Sequence, residues 1–381
     1  MIFLDHAATT PVRREALEAM WPYLSGSFGN PSSRHALGDE AARALAAARA
    51  TVAAVIGCRP GDVVFTSGGT EADNLAVKGL AIAHPRGRHV VVSPIEHEAV
   101  LESADHLARV HGFEVGEVAV DAGGVVTPEA LARVIRPDTA LVSVQLANNE
   151  IGTVQPIAEL AAVARAAGAL MHTDAVQAAG WLPLSLDDLG VDALSLAGHK
   201  VGAPKGTGAL IVRGRLPLEP VLHGGGQERG RRSGTENVAG AVAFATALRL
   251  AEADRADAAA RVAALGSGFT AAVAGTVPGA RPTGDPEHRL PGTVSFVFPG
   301  TSGEAVLLEL ERDGVVCSSG SACAAGSDEP SHVLTAIGLP AELAQTAVRF
   351  TLGAETTAEE LADAAASVAR AVSAVRGIVA A

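Results

Sequence analysis

The chain has 381 residues, 48% of them hydrophobic and 19% charged, with a formal net charge of -13 and a pI near 5.4. Such a length buries a substantial core and suggests one large domain plus a smaller one, or two of similar size. The acidic balance argues against a bulk nucleic-acid binder, because phosphate contact needs clustered positive potential.

The start, Met1 to His6, lacks the basic-then-apolar layout of a signal peptide, and even the run Val238 to Leu248 is short for a membrane span. A cytoplasmic protein without membrane contact is therefore expected. A helical pattern runs from Arg13 towards Tyr23, followed by a loop of turn formers at 26–33. From Gly38 to Ile56, Ala41, Leu45, Ala48, Val52 and Val55 recur at helical spacing, and Gly57 ends the helix. Strands and helices then alternate. Strands are predicted at 62–66, 88–93, 113–118, 139–146, 169–173, 193–196 and 207–212, with helices at 71–83, 98–111, 128–135 and 157–167. Alternation of this kind implies a mainly parallel sheet with helices on both faces and a ligand at the carboxyl ends of the strands. A long helix over 239–274 follows, and the remainder, with strands near 293–298 and 347–351, reads as a smaller α+β unit.

Several candidate residues fall at those strand ends. Ser195-Leu196-Ala197-Gly198-His199-Lys200 delivers a lysine from an apolar strand into a glycine turn. Desolvation there makes the amine a candidate Schiff-base nucleophile; the alternative is a strand-end lysine in solvent. Leu170-Met171-His172-Thr173-Asp174 ends a second apolar run in a carboxylate, with Gln177 one turn on. Pyridoxal phosphate chemistry needs both such a lysine and an acid facing the pyridinium nitrogen, whereas a structural arginine would also satisfy Asp174. Ser67-Gly68-Gly69-Thr70, between strand and helix, offers backbone N–H groups and a hydroxyl to a phosphate. Neither G-x-G-x-x-G nor a Walker loop occurs.

His97 follows a strand, where it can stack on a flat ring or move protons; Asn149 lies in the polar turn after the strand at 139–146. The stretch from His223 to Thr235 is flexible and locally basic, suited to giving phosphate ligands to a neighbouring subunit or simply to solvent. Cys58, Cys317 and Cys323 form no C-x-x-C pair, so neither a disulfide framework nor a cysteine zinc site is indicated. Cys323 lies among Gly, Ser and Ala, where a thiol is available as a nucleophile, while Cys58 sits beside a helix end. Arg349, inside the apolar strand at 347–351, calls for a carboxylate partner.

Together these residues resemble the cysteine desulfurases, the NifS- and IscS-like branch of the class V aminotransferases. The resemblance runs from Leu4-Asp5-His6-Ala7-Ala8-Thr9-Thr10-Pro11 to Arg349-Phe350-Thr351-Leu352-Gly353. Its most specific parts are Phe28 to Ser33, Thr66 to Asn74, Asn148 to Gly152, Gly198-His199-Lys200, Arg232 to Thr235 and Ser318 to Cys323. It implies the α/β architecture of PLP fold type I: a large domain (12–255) with a mainly parallel seven-stranded sheet flanked by helices, and a smaller α+β domain (1–11 and 256–381) carrying the catalytic cysteine loop. It implies pyridoxal 5'-phosphate as cofactor, bound covalently by Lys200, with Asp174 on the ring nitrogen, Gln177 on the ring hydroxyl and His97 stacked on the ring.

Gly69, Thr70 and His199, with Thr235 of the partner subunit in a homodimer, would hold the phosphate. Asn149 and Arg349 would orient L-cysteine, and Cys323 would take its sulfur as a persulfide, leaving alanine. The sulfur would pass to an acceptor protein, an iron–sulfur scaffold or a thiolation enzyme. No resident metal is implied, Cys323 serving at most as a transient iron–sulfur ligand. Ala197 stands where family members commonly carry serine, which removes one hydroxyl from the phosphate site at a cost of about 1 kcal/mol. Cys317 is expected to be dispensable. A selenocysteine or cystine lyase, another aminotransferase, and a cofactor-free interaction protein on the same scaffold are the competing readings.

Overall fold

The computed structural model describes residues 1–214, 216–319 and 329–379. In chain order, β1 (Ile2–Phe3), α1 (Arg14–Ser25) and α2 (Ala36–Ile56) precede β2 (Val63–Thr66) and α3 (Gly69–Ala83). The alternating region then comprises β3 (His89–Val92), α4 (Glu98–His111), β4 (Glu114–Glu117), α5 (Pro128–Val134), β5 (Thr139–Ser143), α6 (Ile157–Ala167), β6 (Leu170–Asp174), α7 (Leu186–Leu189), β7 (Ala193–Ala197) and β8 (Gly208–Val212). After α8 (Val238–Thr276) come β9 (Arg281–Pro282), β10 (Thr293–Val297), α9 (Gly303–Arg312), β11 (Val315–Val316), α10 (His332–Ala336), α11 (Ala341–Ala344), β12 (Ala347–Thr351) and α12 (Ala358–Val379).

A seven-stranded sheet has the order β2-β8-β7-β6-β5-β3-β4, with β8 antiparallel to both neighbours and the other pairs parallel. Strands β5 to β8 are buried at every position, the pattern of sheet interior covered by helices on both faces. Only the edge strand β4, with Glu114 and Glu117, faces solvent, and its charges protect an unpaired edge. Gly57, Gly112, Gly168 and Gly190 end helices in the left-handed conformation. A second sheet, β12-β10-β9, is antiparallel, and β1 pairs with β11.

Helix α8 joins the two cores. Phe244 and Leu248 pack with residues of the large sheet and its helices, whereas Val262, Phe269 and Val273 pack with Phe296, Phe350 and Val368. By length and composition α8 is also long and apolar enough to cross a membrane, which the shorter run Val238 to Leu248 did not disclose. Its apolar residues are instead divided between those cores, and it lies against α1, α2 and α12.

Two element boundaries bear on the site. Helix α3 begins at Gly69, two residues before its predicted start, because Gly68 (φ 155°) turns the chain sharply and leaves Gly69 and Thr70 in the first helical turn. Strand β5 stops at Ser143, short of the predicted Leu146. Beyond it, the backbone N–H of Gln145 leaves the ladder and donates to both carboxylate oxygens of Glu96, at 3.0 and 2.9 Å.

Candidate active site

The ends of β3, β5, β6 and β7, the first turn of α3 and β12 surround a cavity of about 320 Å³. Gly69, Thr70, His97, Asn149, Asp174, Gln177, His199, Lys200 and Arg349 all line it, residues brought from across the chain. Thr235 does not. It borders a separate cavity of about 250 Å³ beside Phe65, Ser67 and Arg232, so one chain alone does not bring it to the others. Cys323 lies outside the described residues.

Lys200 closes a 3-10 turn (Gly198–Lys200) directly after β7. Its Nζ donates to the backbone oxygens of Ala7 and, at 2.9 Å, Ala8. Asp174 is the last residue of β6 and is buried. Burial pushes its carboxyl above the usual range; the backbone N–H of Val176, donating at 2.8 Å, and the charges of His97 and Lys200 oppose that push. An acid held this way gains most from a cation placed against it.

Gln177 carries its amide to the same place but donates Nε2–H to the Ala7 oxygen at 3.0 Å. His199 is held 3.3 Å from the Thr9 hydroxyl, and burial with the neighbouring lysines lowers its pKa to about 4, so its ring is neutral at physiological pH. His97 caps α4: its Nδ1 accepts the N–H of Ala99 at 3.0 Å, which leaves the proton of the neutral ring on Nε2. On the glycine turn, a Cβ added to Gly69 would lie 2.8 Å from Val176 Cγ2 and 3.5 Å from the Ala197 methyl. Glycine avoids that contact with Val176 at the N-terminus of α3, where backbone N–H groups face the cavity.

Arg349 finds the carboxylate its sequence context demanded. Nη2 lies 2.7 Å from Asp5 Oδ1, Nη1 donates to the Asn149 oxygen at 3.0 Å, and the guanidinium side chain is 3% exposed. Asn149 thus contributes its main chain to the arginine. The neighbouring Asn148 shapes the turn, its Oδ1 accepting the N–H groups of Glu150 and Ile151.

Several cavity residues had no sequence signal beyond being acids or histidines in ordinary company. Asp73 and Glu96 are buried in the wall. Burial and the proximity of Asp174 push Asp73 well above the normal carboxylate range, while burial pushes Glu96 to about 8 against the donation of the Ser93 hydroxyl. Beneath them, the buried His172 is lowered to about 3 and bridges the Ser143 and Ser195 hydroxyls at 2.8 and 2.9 Å. Glu150 accepts the Ser331 hydroxyl at 2.6 Å, and His332 donates Nε2–H to the Glu96 oxygen at 3.0 Å. Apart from Ser93 with Glu96, these contacts join residues far apart in sequence, so no local pattern discloses them.

A family model described as aminotransferase class-V matches residues 2–363, and the chain belongs to that family of pyridoxal-phosphate-dependent enzymes. Cysteine desulfurase IscS of Dictyoglomus turgidum is 45% identical over 361 residues, covering 94% of this chain and 91% of its own. Among solved structures, a NifS-like protein superposes with a TM-score of 0.91 at 37% identity, covering 98% of this chain and 99% of its own. A structure titled SspA in complex with cysteine gives 0.80 at 36% identity, covering 92% and 99%.

The residues present fit the cofactor of that family. A lysine amine, a buried carboxylate on the neighbouring strand end, a helix N-terminus and an imidazole line one cavity, and a Cβ at Gly69 would press on Val176 in its wall. That donor set suits an aldehyde, a pyridine nitrogen, a phosphate and an aromatic ring in turn.

Proposed function

We infer that the protein is a cysteine desulfurase, which uses pyridoxal phosphate to remove sulfur from L-cysteine, yields L-alanine and passes the sulfur on. The observation carrying this reading is the convergence of Lys200 and the buried Asp174 on one cavity, in a chain alike over nearly its whole length to proteins named for that reaction. When bound, the cofactor supplies an electron sink for the substrate carbanion.

Lys200 would hold the cofactor through its amine, and Nζ would afterwards carry the substrate α-proton. Asp174 would hold the ring nitrogen, Gln177 the ring hydroxyl, and the N–H groups of Gly69 and Thr70 with His199 the phosphate. The neutral His199 ring serves that anion as a hydrogen-bond donor. His97, whose neutral ring carries its proton on Nε2, would lie against the cofactor ring and take up the proton of the substrate thiol. Arg349 binds the substrate carboxylate and Asn149 lines its path. The thiolate of Cys323 attacks the substrate sulfur, the Cβ–S bond breaks, and a persulfide remains on Cys323 for a sulfur acceptor, an iron–sulfur scaffold or a thiolation enzyme. Any part of Cys323 in ligating an iron–sulfur cluster is transient.

The reading extends to a cytoplasmic homodimer with a large domain at 12–255 and a small one formed by 1–11 and 256–381. Separate hydrophobic clusters on either side of the middle of α8 support the division. The position of Thr235 away from its own chain's cavity supports the dimer, in which Thr235 of the partner subunit completes the phosphate site. Exposed Trp21, Leu24 and Phe28 are apolar surface for such a contact.

Purified protein incubated with L-cysteine tests the reading. With a thiol reductant such as dithiothreitol present to reduce the persulfide, alanine and sulfide in equal amounts are expected; a keto acid in place of alanine indicates a transaminase, and a colourless, inactive protein a cofactor-free scaffold. Cys323→Ala retains the cofactor colour but loses sulfur release. Lys200→Ala loses the borohydride-trappable adduct and roughly 10²–10⁴-fold in rate; an adduct that persists moves the covalent link to another lysine, Lys205 first.

A further inference from the structure

Residues 5–10, at the very start of the chain, touch the cavity residues from several sides. Lys200 and Gln177 donate to Ala7, Lys200 also to Ala8, His199 meets Thr9, the Thr10 hydroxyl donates to the His199 oxygen, and Arg349 pairs with Asp5. The segment is itself fixed to β12. Thr351 N–H donates to the Leu4 oxygen at 2.7 Å, His6 N–H to the Thr351 oxygen at 3.2 Å, and Ala7 N–H to the Thr351 hydroxyl at 2.8 Å. Asp5 therefore faces Arg349 from a main chain tied down on both of its sides.

We propose that Asp5 is a positioning residue for substrate recognition, holding the Arg349 guanidinium in the orientation that receives the α-carboxylate of an amino acid. This rests on the reading of Arg349 given above. A guanidinium binds a carboxylate well only when its planar fork is presented edge-on, and an arginine stem has rotamer freedom that defeats such presentation unless something restrains it. Asp5 Oδ1 on Nη2 and the Asn149 oxygen on Nη1 fix that plane with two acceptors. The Asp5 carboxylate also offsets the charge of a side chain that is 3% exposed, without which the guanidinium would turn towards water. Its own negative charge repels an incoming carboxylate; orientation outweighs this, because the pair is built into the fold and not formed at the moment of binding.

The test uses holoenzyme variants and follows ligand binding through the absorbance of the bound cofactor. L-alanine carries the carboxylate, and L-alaninamide lacks it. Asp5→Ala is expected to weaken L-alanine about tenfold, the size of one charge-assisted hydrogen bond, and to shift L-alaninamide by less than about twofold. The KM for L-cysteine rises in step while kcat changes little. Asp5→Asn, whose amide oxygen still accepts from Nη2, restores most of the L-alanine affinity.

Equal weakening of both ligands, no weakening, or tighter L-alanine binding by Asp5→Ala overturns the proposal. If Asp5→Ala does not fold, Asp5→Asn decides: preserved L-alanine affinity is expected, and a loss near tenfold overturns orientation in favour of a charge effect. Arg349→Lys is the control. If it leaves L-alanine binding unchanged, the carboxylate role of Arg349 fails whatever Asp5 does; if it weakens L-alanine while Asp5→Ala does not, only the Asp5 proposal falls.

Discussion

Strands β6 and β12 each carry a charged residue to the cavity in a run of buried ones, Asp174 at the end of β6 and Arg349 in the middle of β12, yet they treat the charge in opposite ways. On β12, Arg349 meets Asp5 at 2.7 Å within the chain. On β6, Asp174 is given a backbone N–H and the more distant charges of His97 and Lys200, with Asp73 and Glu96 as acidic neighbours, and burial pushes its carboxyl upwards. A buried charge matched inside the fold is a device for presentation, whereas a buried acid crowded by other acids is a place waiting for a cation. The two environments match the proposed roles, orientation of substrate for Arg349 and tuning of the cofactor for Asp174.

Breaking the comparison at its acidic end should have the largest effect. Asp174→Asn keeps the shape and removes the charge, and turnover of L-cysteine is expected to fall roughly 10²–10³-fold through kcat, the scale of one lost preorganised electrostatic contact. Arg349→Lys should instead act mainly on KM. Similar kcat and KM effects for both would erase the distinction.

Glu96 sharpens the same contrast through stability. Its carboxyl is raised from 4.5 to about 8 in the fold, so the folded state holds a proton that the unfolded chain has released. Its contribution is full below the unfolded pKa and is lost as pH rises through the folded one. Wild type should therefore lose stability relative to Glu96→Gln from about pH 5 to 8, by at most about 1.4 kcal/mol per pH unit. Thermal melts of both proteins across that range measure it, and parallel curves would show that Glu96 does not titrate there.

The smallest effect is expected at Cys317. Burial, with Asp5 nearby, pushes its thiol far above the ordinary range, and Cys58 is raised to about 11. Neither is a thiolate at neutral pH, so Cys317→Ala should leave sulfur transfer unchanged and both should alkylate slowly at pH 8. Rapid modification of Cys317 in the native protein would contradict its raised thiol pKa.

Much of the site was legible before any coordinates. Lys200, Asp174 and His97 sit where apolar strands meet turns, and period and turn chemistry are local properties that a sequence carries openly. Gly69 and Thr70 were found the same way, although the helix begins two residues earlier than its acidic first turn suggested, because Gly68 turns the chain there. The long helix α8 was legible as a helix, but its division between two cores was not, since alanine enrichment favours helix without saying what each face meets.

What the sequence determined by itself was the alternation of elements, the strand-end position of the reactive groups and the demand of Arg349 for an acid. Which acid answered, and where the unremarked carboxylates would gather, only the tertiary structure decided. Asp5 lies 344 residues from Arg349, and Glu96 takes the N–H of Gln145 from 49 residues away. Contacts of that separation depend on how strands are ordered in the sheets and how the first residues return to β12. Their energies arise from burial and distance, quantities that exist only once the chain has closed on itself.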